Sequence, residues 1–145
     1  MSFTEDEIAY LRSQPLARLA TVSPDGQPDN VPIGVDFDGT YLYVGGHGDP
    51  TRTRKFLNIR AGNPKLALVF DDLASTQPWT PRFLRIYGIG ELVQRDGRVG
   101  SGTYLRITPT ISWSYNLGPE PRAFMVGDEP PAPPRRTVHE PLFSD

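Results

Sequence analysis

The chain has 145 residues, the size of one ordinary domain. Its 37% hydrophobic and 10% aromatic content can fill a core, and 15 basic against 17 acidic residues leave a formal charge of −2, which gives no global drive toward nucleic acid or an anionic membrane. The absence of cysteine excludes disulfides, thiol catalysis and sulfur-ligated metals, while two lone histidines, His47 and His139, make no metal-ligand spacing.

The elements follow in chain order. Thr4 and Glu7 have the spacing of a capping box, with Phe3 and Ile8 at the positions of a hydrophobic staple, so a short helix is expected that Pro15 ends. Residues 17–22 read as a strand running into the turn Ser23-Pro24-Asp25-Gly26. Residues 30–37 alternate, with Val31, Ile33, Val35 and Phe37 on one face and Pro32, Gly34 and Asp36 on the other. Asp38-Gly39 predicts a hairpin into residues 41–44, and the whole suggests an antiparallel meander.

A glycine-rich loop, 45–50, precedes an expected helix with Asp49 as cap, Pro50 at its first position and Gly62 just past its end; Phe56 and Ile59 would face the core. Residues 66–70 predict a buried strand that Asp71-Asp72 ends. Residues 83–93 predict a long strand, its two glycines marking a bend or bulge. Residues 103–107 and 111–117 predict one strand broken at Pro109, with Ile111, Trp113 and Tyr115 sharing a face. Residues 1–126 are therefore read as the folded domain and 127–145 as a Pro-rich C-terminal tail, extended and either loose or packed on a partner subunit. No apolar run approaches the roughly 18 residues of a membrane helix, and the acidic opening of the chain is unlike a secretory signal. A soluble, cytoplasmic protein is the expectation.

The most informative segment is Thr51-Arg52-Thr53-Arg54-Lys55, at the expected helix start. That end of a helix carries the positive pole of its dipole, where basic residues are locally wrong. The conflict disappears if an anion binds there, held by free backbone N–H groups, hydroxyls and cations together. Neither G-x-x-x-x-G-K-[ST] nor G-x-G-x-x-G occurs, so the anion is not expected to belong to a nucleotide held by a classical phosphate loop. His47 reads equally as a polar contact to a ligand or as a turn residue. Trp79, between Pro78 and Pro81, reads as a cover over a site or as an interface anchor. Arg85 would reach a ligand across a dimer or pair with a nearby acid.

The order of these segments, from Pro24-Asp25-Gly26-Gln27-Pro28 through Asn30-Val31-Pro32-Ile33-Gly34 and the basic helix start to Asn63-Pro64 and Arg82-Phe83-Leu84-Arg85-Ile86-Tyr87-Gly88, resembles the pyridoxamine 5′-phosphate oxidase-like proteins, above all their coenzyme F420-dependent branch. The resemblance covers residues 3–117. It implies a mainly β fold with short helices, a six-stranded antiparallel split β-barrel, forming a homodimer with the cofactor at the subunit interface. Arg54-Lys55 is similar to the flavin-phosphate motif of the oxidases, and Lys55 with Asn58 to the Lys-x-x-Asn of F420-binding relatives. The implied site has Arg54, Lys55 and Asn58 holding the phosphate with Arg52 and Thr53 assisting. Asn30, Val31, Pro32 and Ile33 would support the ring, and Gly46, His47, Trp79 and Arg85 would complete it. Phe83 stands where the oxidases have a flavin-contacting Gln, and their C-terminal substrate-phosphate motif is not evident, which turns the reading from pyridoxamine phosphate and FMN toward F420. The cation cluster, counted as Arg52, Arg54, Lys55 and Arg60, suits F420's phosphodiester and polyglutamate tail. The expected activity is hydride transfer between the deazaflavin and a small electron-poor substrate, with no metal and no assigned catalytic acid. The alternatives are an FMN-binding reductase on the same fold, or a flavin, F420 or haem carrier without turnover.

Overall fold

The computed structural model describes residues 2–45, 50–129 and 132–140. Helix α1, Glu5–Ser13, starts as its sequence dictates: Thr4 Oγ1 accepts from Glu7 N at 3.1 Å and Glu7 Oε1 accepts from Thr4 N at 2.9 Å. Phe3 is buried and Ile8 packs on the same core cluster, as the staple requires. Strands β1 (Ala17–Val22) and β2 (Pro28–Ile33) form a hairpin whose turn places Gly26 at φ 90°, a conformation glycine adopts without strain. The alternating segment then breaks at Gly34-Val35, and β3 is only Asp36–Phe37. Asp38 Oδ1 accepts from the backbone of Thr40 and Tyr41 and turns the chain into β4, Leu42–Val44.

A single 3₁₀ turn at Pro50–Arg52 precedes α2, Arg54–Arg60, so the expected helix is divided in two. Gly62 follows at φ 96°, the residue past the helix end that the sequence marked. Strands β5 (Lys65–Thr76), β6 (Trp79–Gly97) and β7 (Gly100–Tyr115) make a long antiparallel meander. Asp71 and Asp72 do not end β5. They continue it on opposite faces, Asp71 3.4 Å from Arg18 and Asp72 in a two-bond fork with Arg82. Asp72 also accepts from the Tyr10 hydroxyl at 2.9 Å, tying α1 to this meander.

The sheet order is β2-β1-β5-β6-β7-β4-β3. Its two ends, β2 and β3, are separated only by Gly34-Val35, so the sheet has to curl until one bent stretch of chain serves both ends. The result is a split barrel around Leu19, Phe56, Leu68, Phe70, Leu84, Ile86, Leu105 and Ile107. The expected irregularity on β6 is found at Tyr87/Gly88, but the extra residue is Thr110 on the facing strand, and Pro109 is accommodated there inside an unbroken β7. Gly88 serves packing instead: a Cβ there would lie 2.7 Å from Ile107 Cγ2.

The C-terminal segment corrects the expectation of a loose tail. Arg135–Val138 form β8, paired with β7 from Ile111 to Ser114, and Thr137 is buried. Arg135 reaches the buried Glu7 at 3.3 Å. His139, given no role by sequence, stacks on Phe3 at 4.5 Å between ring centroids and bonds to Ser112 Oγ through Nε2 at 2.8 Å. Burial pushes its imidazole below the usual histidine range.

Candidate functional site

Thr53 occupies the N-cap position of α2 without a side-chain capping bond; its hydroxyl donates instead to Pro50 O at 2.7 Å. Asp49, with Gly46 and His47, lies outside the described residues. No acidic residue occupies the first turn of α2, whose leading N–H groups have no intrahelical acceptor. A helix of 7 residues carries a weak dipole, so any attraction for an anion falls mainly on side chains.

Those side chains diverge. Arg54 is exposed and lines a hollow of about 480 Å³ with Ser23, Asp25, Gln27 and Asp29 from the β1–β2 hairpin. Asp25 is held below the usual carboxylate range, first by the Ser23 hydroxyl and also by Arg54. Lys55 is half-buried and lines a separate cavity of about 380 Å³ with Ile33, Gly34, Tyr43, Tyr104 and Arg98. Burial pushes its ammonium below the usual lysine range, and Asp29 opposes that shift. Among the described residues, neither Arg54 nor Lys55 forms an ion pair. Arg52 is exposed in the 3₁₀ turn, whereas Arg60 sits in the last turn of α2. The cluster of four is therefore three cations near the helix start and one at the opposite end.

Asn58 does not share this surface. It is fully buried and donates through Nδ2 to Thr21 Oγ1 at 2.9 Å, fastening α2 to β1; its Oδ1 is buried without a partner. The Asn30–Ile33 stretch divides by strand alternation. Ile33 reaches the Lys55 cavity and Val31 faces the core, while Asn30 and Pro32 are exposed on the outer face of the sheet.

That outer face is continuous. By register, Asn30, Ala20, Ala67, Tyr87, Ile111 and Val138 form one row, and Pro32, Arg18, Val69, Arg85, Trp113 and Arg136 the next. Arg85 is not paired to an acid as one reading expected: its guanidinium lies 4.1 Å from the Trp113 ring centroid and 5.7 Å from that of Tyr87. Glu91 is taken by Arg106 instead. Trp79, 56% exposed, sits at the far end of β6, six residues or about 20 Å of strand from Arg85, and is not brought to the cations within one protomer. Arg98, Tyr43 and Tyr104 were not singled out by sequence reading; the glycines at 97 and 100, where the β6–β7 hairpin reverses, are a turn signal that could have marked the place of Arg98.

Among the described residues, no group of three or more His, Cys, Asp or Glu comes together as a metal site, and no helix is long and apolar enough to cross a membrane. A family model described as pyridoxamine 5′-phosphate oxidase matches residues 3–136. The chain is 41% identical over 101 residues to the 5a,11a-dehydrotetracycline/5a,11a-dehydrooxytetracycline reductase of Streptomyces rimosus, an alignment covering 68% of this chain and 69% of that one. It is similar in structure to an F420 reductase, with TM-score 0.57 at 22% identity over 76% of this chain and 98% of the other. The heme storage protein HutZ of Vibrio cholerae matches with TM-score 0.55 at 13% identity over 75% of this chain and 91% of that one. At such identities the two structures speak to the fold alone.

Proposed function

The chain belongs to the pyridoxamine 5′-phosphate oxidase family, and on that premise we propose that it is an oxidoreductase that binds coenzyme F420 and reduces or oxidises a small, electron-poor, conjugated substrate. The observation that carries this reading is Lys55: a half-buried cation with no ion pair among the described residues, facing a cavity beside the strand assigned to the ring. Burial outweighs the partial compensation that Asp29 gives this ammonium, and a bound anion would offset more of that cost. The residues fit a phosphate-bearing cofactor. Lys55, in the cavity that Ile33 also lines, would hold its phosphate; Arg54, turned into the separate hollow, with Arg52 and Thr53 preceding it, would meet the outer charges of its tail, and the exposed Asn30 and Pro32 would border its ring. Asn58 acts at one remove, fixing α2 against β1 so that Lys55 keeps its place.

When bound, the deazaflavin supplies hydride chemistry at C5 of its ring. The protein's part is to position the ring, exclude water and admit a substrate. A 41%-identical relative named as a reductase of a dehydrotetracycline supports a conjugated, polycyclic acceptor as the first substrate class to try. The exposed Tyr87 and Val138, with the half-buried Ile111 between them in one row, support a homodimer formed through the outer face, which would bring a second protomer's surface to each site.

Separate fluorescence titrations with F420 and FMN test the cofactor, and oxidation of reduced F420 by enone, quinone and dehydrotetracycline-type acceptors tests the activity. Micromolar or tighter binding of F420 with turnover of one acceptor class is the expected result. A clear preference for FMN overturns the cofactor assignment. Tight F420 binding with no turnover by any acceptor makes the protein a carrier.

A further inference from the structure

We infer that Arg98 is a cofactor-binding residue: from the β6–β7 turn it closes, opposite Lys55, the cavity that takes the anionic tail of the cofactor. The inference rests on the F420 reading and assigns a residue to it that lies outside the basic helix start.

Lys55 and Arg98 come from distant parts of the chain, yet both line the cavity of about 380 Å³. Among the described residues, Arg98 forms no ion pair. The carboxylate in that lining, Asp36, is already engaged 3.4 Å from Arg95. The cavity is thus bordered by two cations whose charge no acid in its lining neutralises. A third stands behind the wall. Arg95 stacks 3.6 Å from the Tyr43 ring centroid, and its Nη1 is buried without an acceptor. Two cations lining one cavity, neither in an ion pair among the described residues, suit a ligand that brings oxygen acceptors.

The position of Arg98 is built rather than incidental. Tyr104 donates its hydroxyl to Gly100 O at 2.6 Å and accepts from Val99 N at 3.1 Å, so the tip of the hairpin is pinned to the wall. The Tyr104 ring lies against glycine on both sides: a Cβ on Gly45 or on Gly97 would come within 2.6 Å of it. These two glycines let the ring sit flat between two backbones, and the ring fixes the turn that carries Arg98. Such preorganisation spares the ordering cost when a ligand arrives.

The lining also selects which part of the cofactor enters. Two cations at one cavity of about 380 Å³ suit the phosphodiester and the first carboxylate of F420. The broad conjugated ring needs a flat surface, which the exposed side of β2 offers instead.

The test is an affinity comparison by fluorescence titration at low and moderate salt. The ligands are F420 and the deazaflavin riboside that lacks the phosphate and glutamates. Arg98→Ala should weaken F420 about tenfold, the size of one charge-assisted contact, and flatten its salt dependence, while leaving the riboside unchanged. Arg122→Ala, an exposed arginine after β7 that lines neither the Lys55 cavity nor the Arg54 hollow, should leave both affinities as they are. Tyr104→Phe, which frees the hairpin tip but keeps every charge, should weaken F420 in the same direction by a smaller factor. Unchanged F420 affinity in Arg98→Ala, with Lys55→Ala still weakened, overturns the role of Arg98 and leaves the cofactor reading standing. Equal loss of F420 and riboside also overturns it, because the residue would then act through the ring. A wild-type protein that binds neither F420 nor FMN overturns the reading itself.

Discussion

At the scale of single residues, Lys55 and Asn58 separate binding from stability although they lie one helical turn apart. Lys55→Ala removes a charge-assisted contact of about 1.5–3 kcal/mol, so F420 affinity should fall at least tenfold while the melting temperature barely moves. The depressed pKa of the Lys55 ammonium adds a pH signature. A bound anion favours the protonated amine, so affinity is full below the free protein's lysine pKa and is lost as pH rises through it. That loss should begin below the usual lysine value of about 10.4, and should be absent in Lys55→Ala. Asn58→Ala should do the reverse. It leaves the buried Thr21 hydroxyl without its partner and should cost about 1–3 kcal/mol of stability, read from the denaturant midpoint. The sequence made Lys55 legible because its conflict was local, a cation at the wrong end of a helix. It could not separate Asn58 from the binding surface, since only the approach of β1 to α2 shows what that amide touches. Arg98 was illegible for a related reason: a turn arginine becomes meaningful only beside Lys55.

At the scale of elements, capping and turn chemistry were the most readable. Thr4 with Glu7, Asp38 and Gly62 each act where local rules place them. Strand lengths were not readable, because Asp71-Asp72 reads as a stop until Arg18 and Arg82 are seen to meet those charges. The Asp72–Arg82 fork carries a pH prediction. Hydrogen bonding from Arg82, with help from Tyr10, holds the Asp72 carboxyl below its usual range. A depressed folded-state pKa stabilises the protein above the unfolded value of about 3.9 and loses that contribution as pH falls through the folded pKa. The stability gap between wild type and Asp72→Asn should therefore be full at neutral pH and shrink from about pH 4 downward in acid titrations followed by circular dichroism. Strand β6 has a steric limit of its own: Gly88→Ala brings a methyl to 2.7 Å from Ile107 Cγ2 and 3.0 Å from Thr108 O, an overpacking worth about 1–3 kcal/mol. The C-terminal strand escaped the sequence reading because its prolines dominate the composition, while the β pairing depends on four residues, Arg135–Val138.

At the scale of the whole molecule, the order of segments foretold a split barrel, but the joining of its ends is visible only in the sheet path. The outer face supplies the prediction at this scale. Tyr87 is 45% exposed amid a row that runs from Asn30 to Val138. Tyr87→Glu should convert the proposed dimer to monomers in light scattering and weaken F420 binding, with the fold retained by circular dichroism. The same seam has a consequence for how the protein survives at high concentration. A proline is admitted in a strand only where its nitrogen faces away from the neighbouring strand, so Pro28 and Pro32 show that the backbone nitrogens of 28, 30 and 32 all point to the unpaired side of β2. Of those three, only Asn30 has a hydrogen to give, leaving an intruding chain little with which to zip up, and the margin most open to amyloid-like growth is blunted by its own composition.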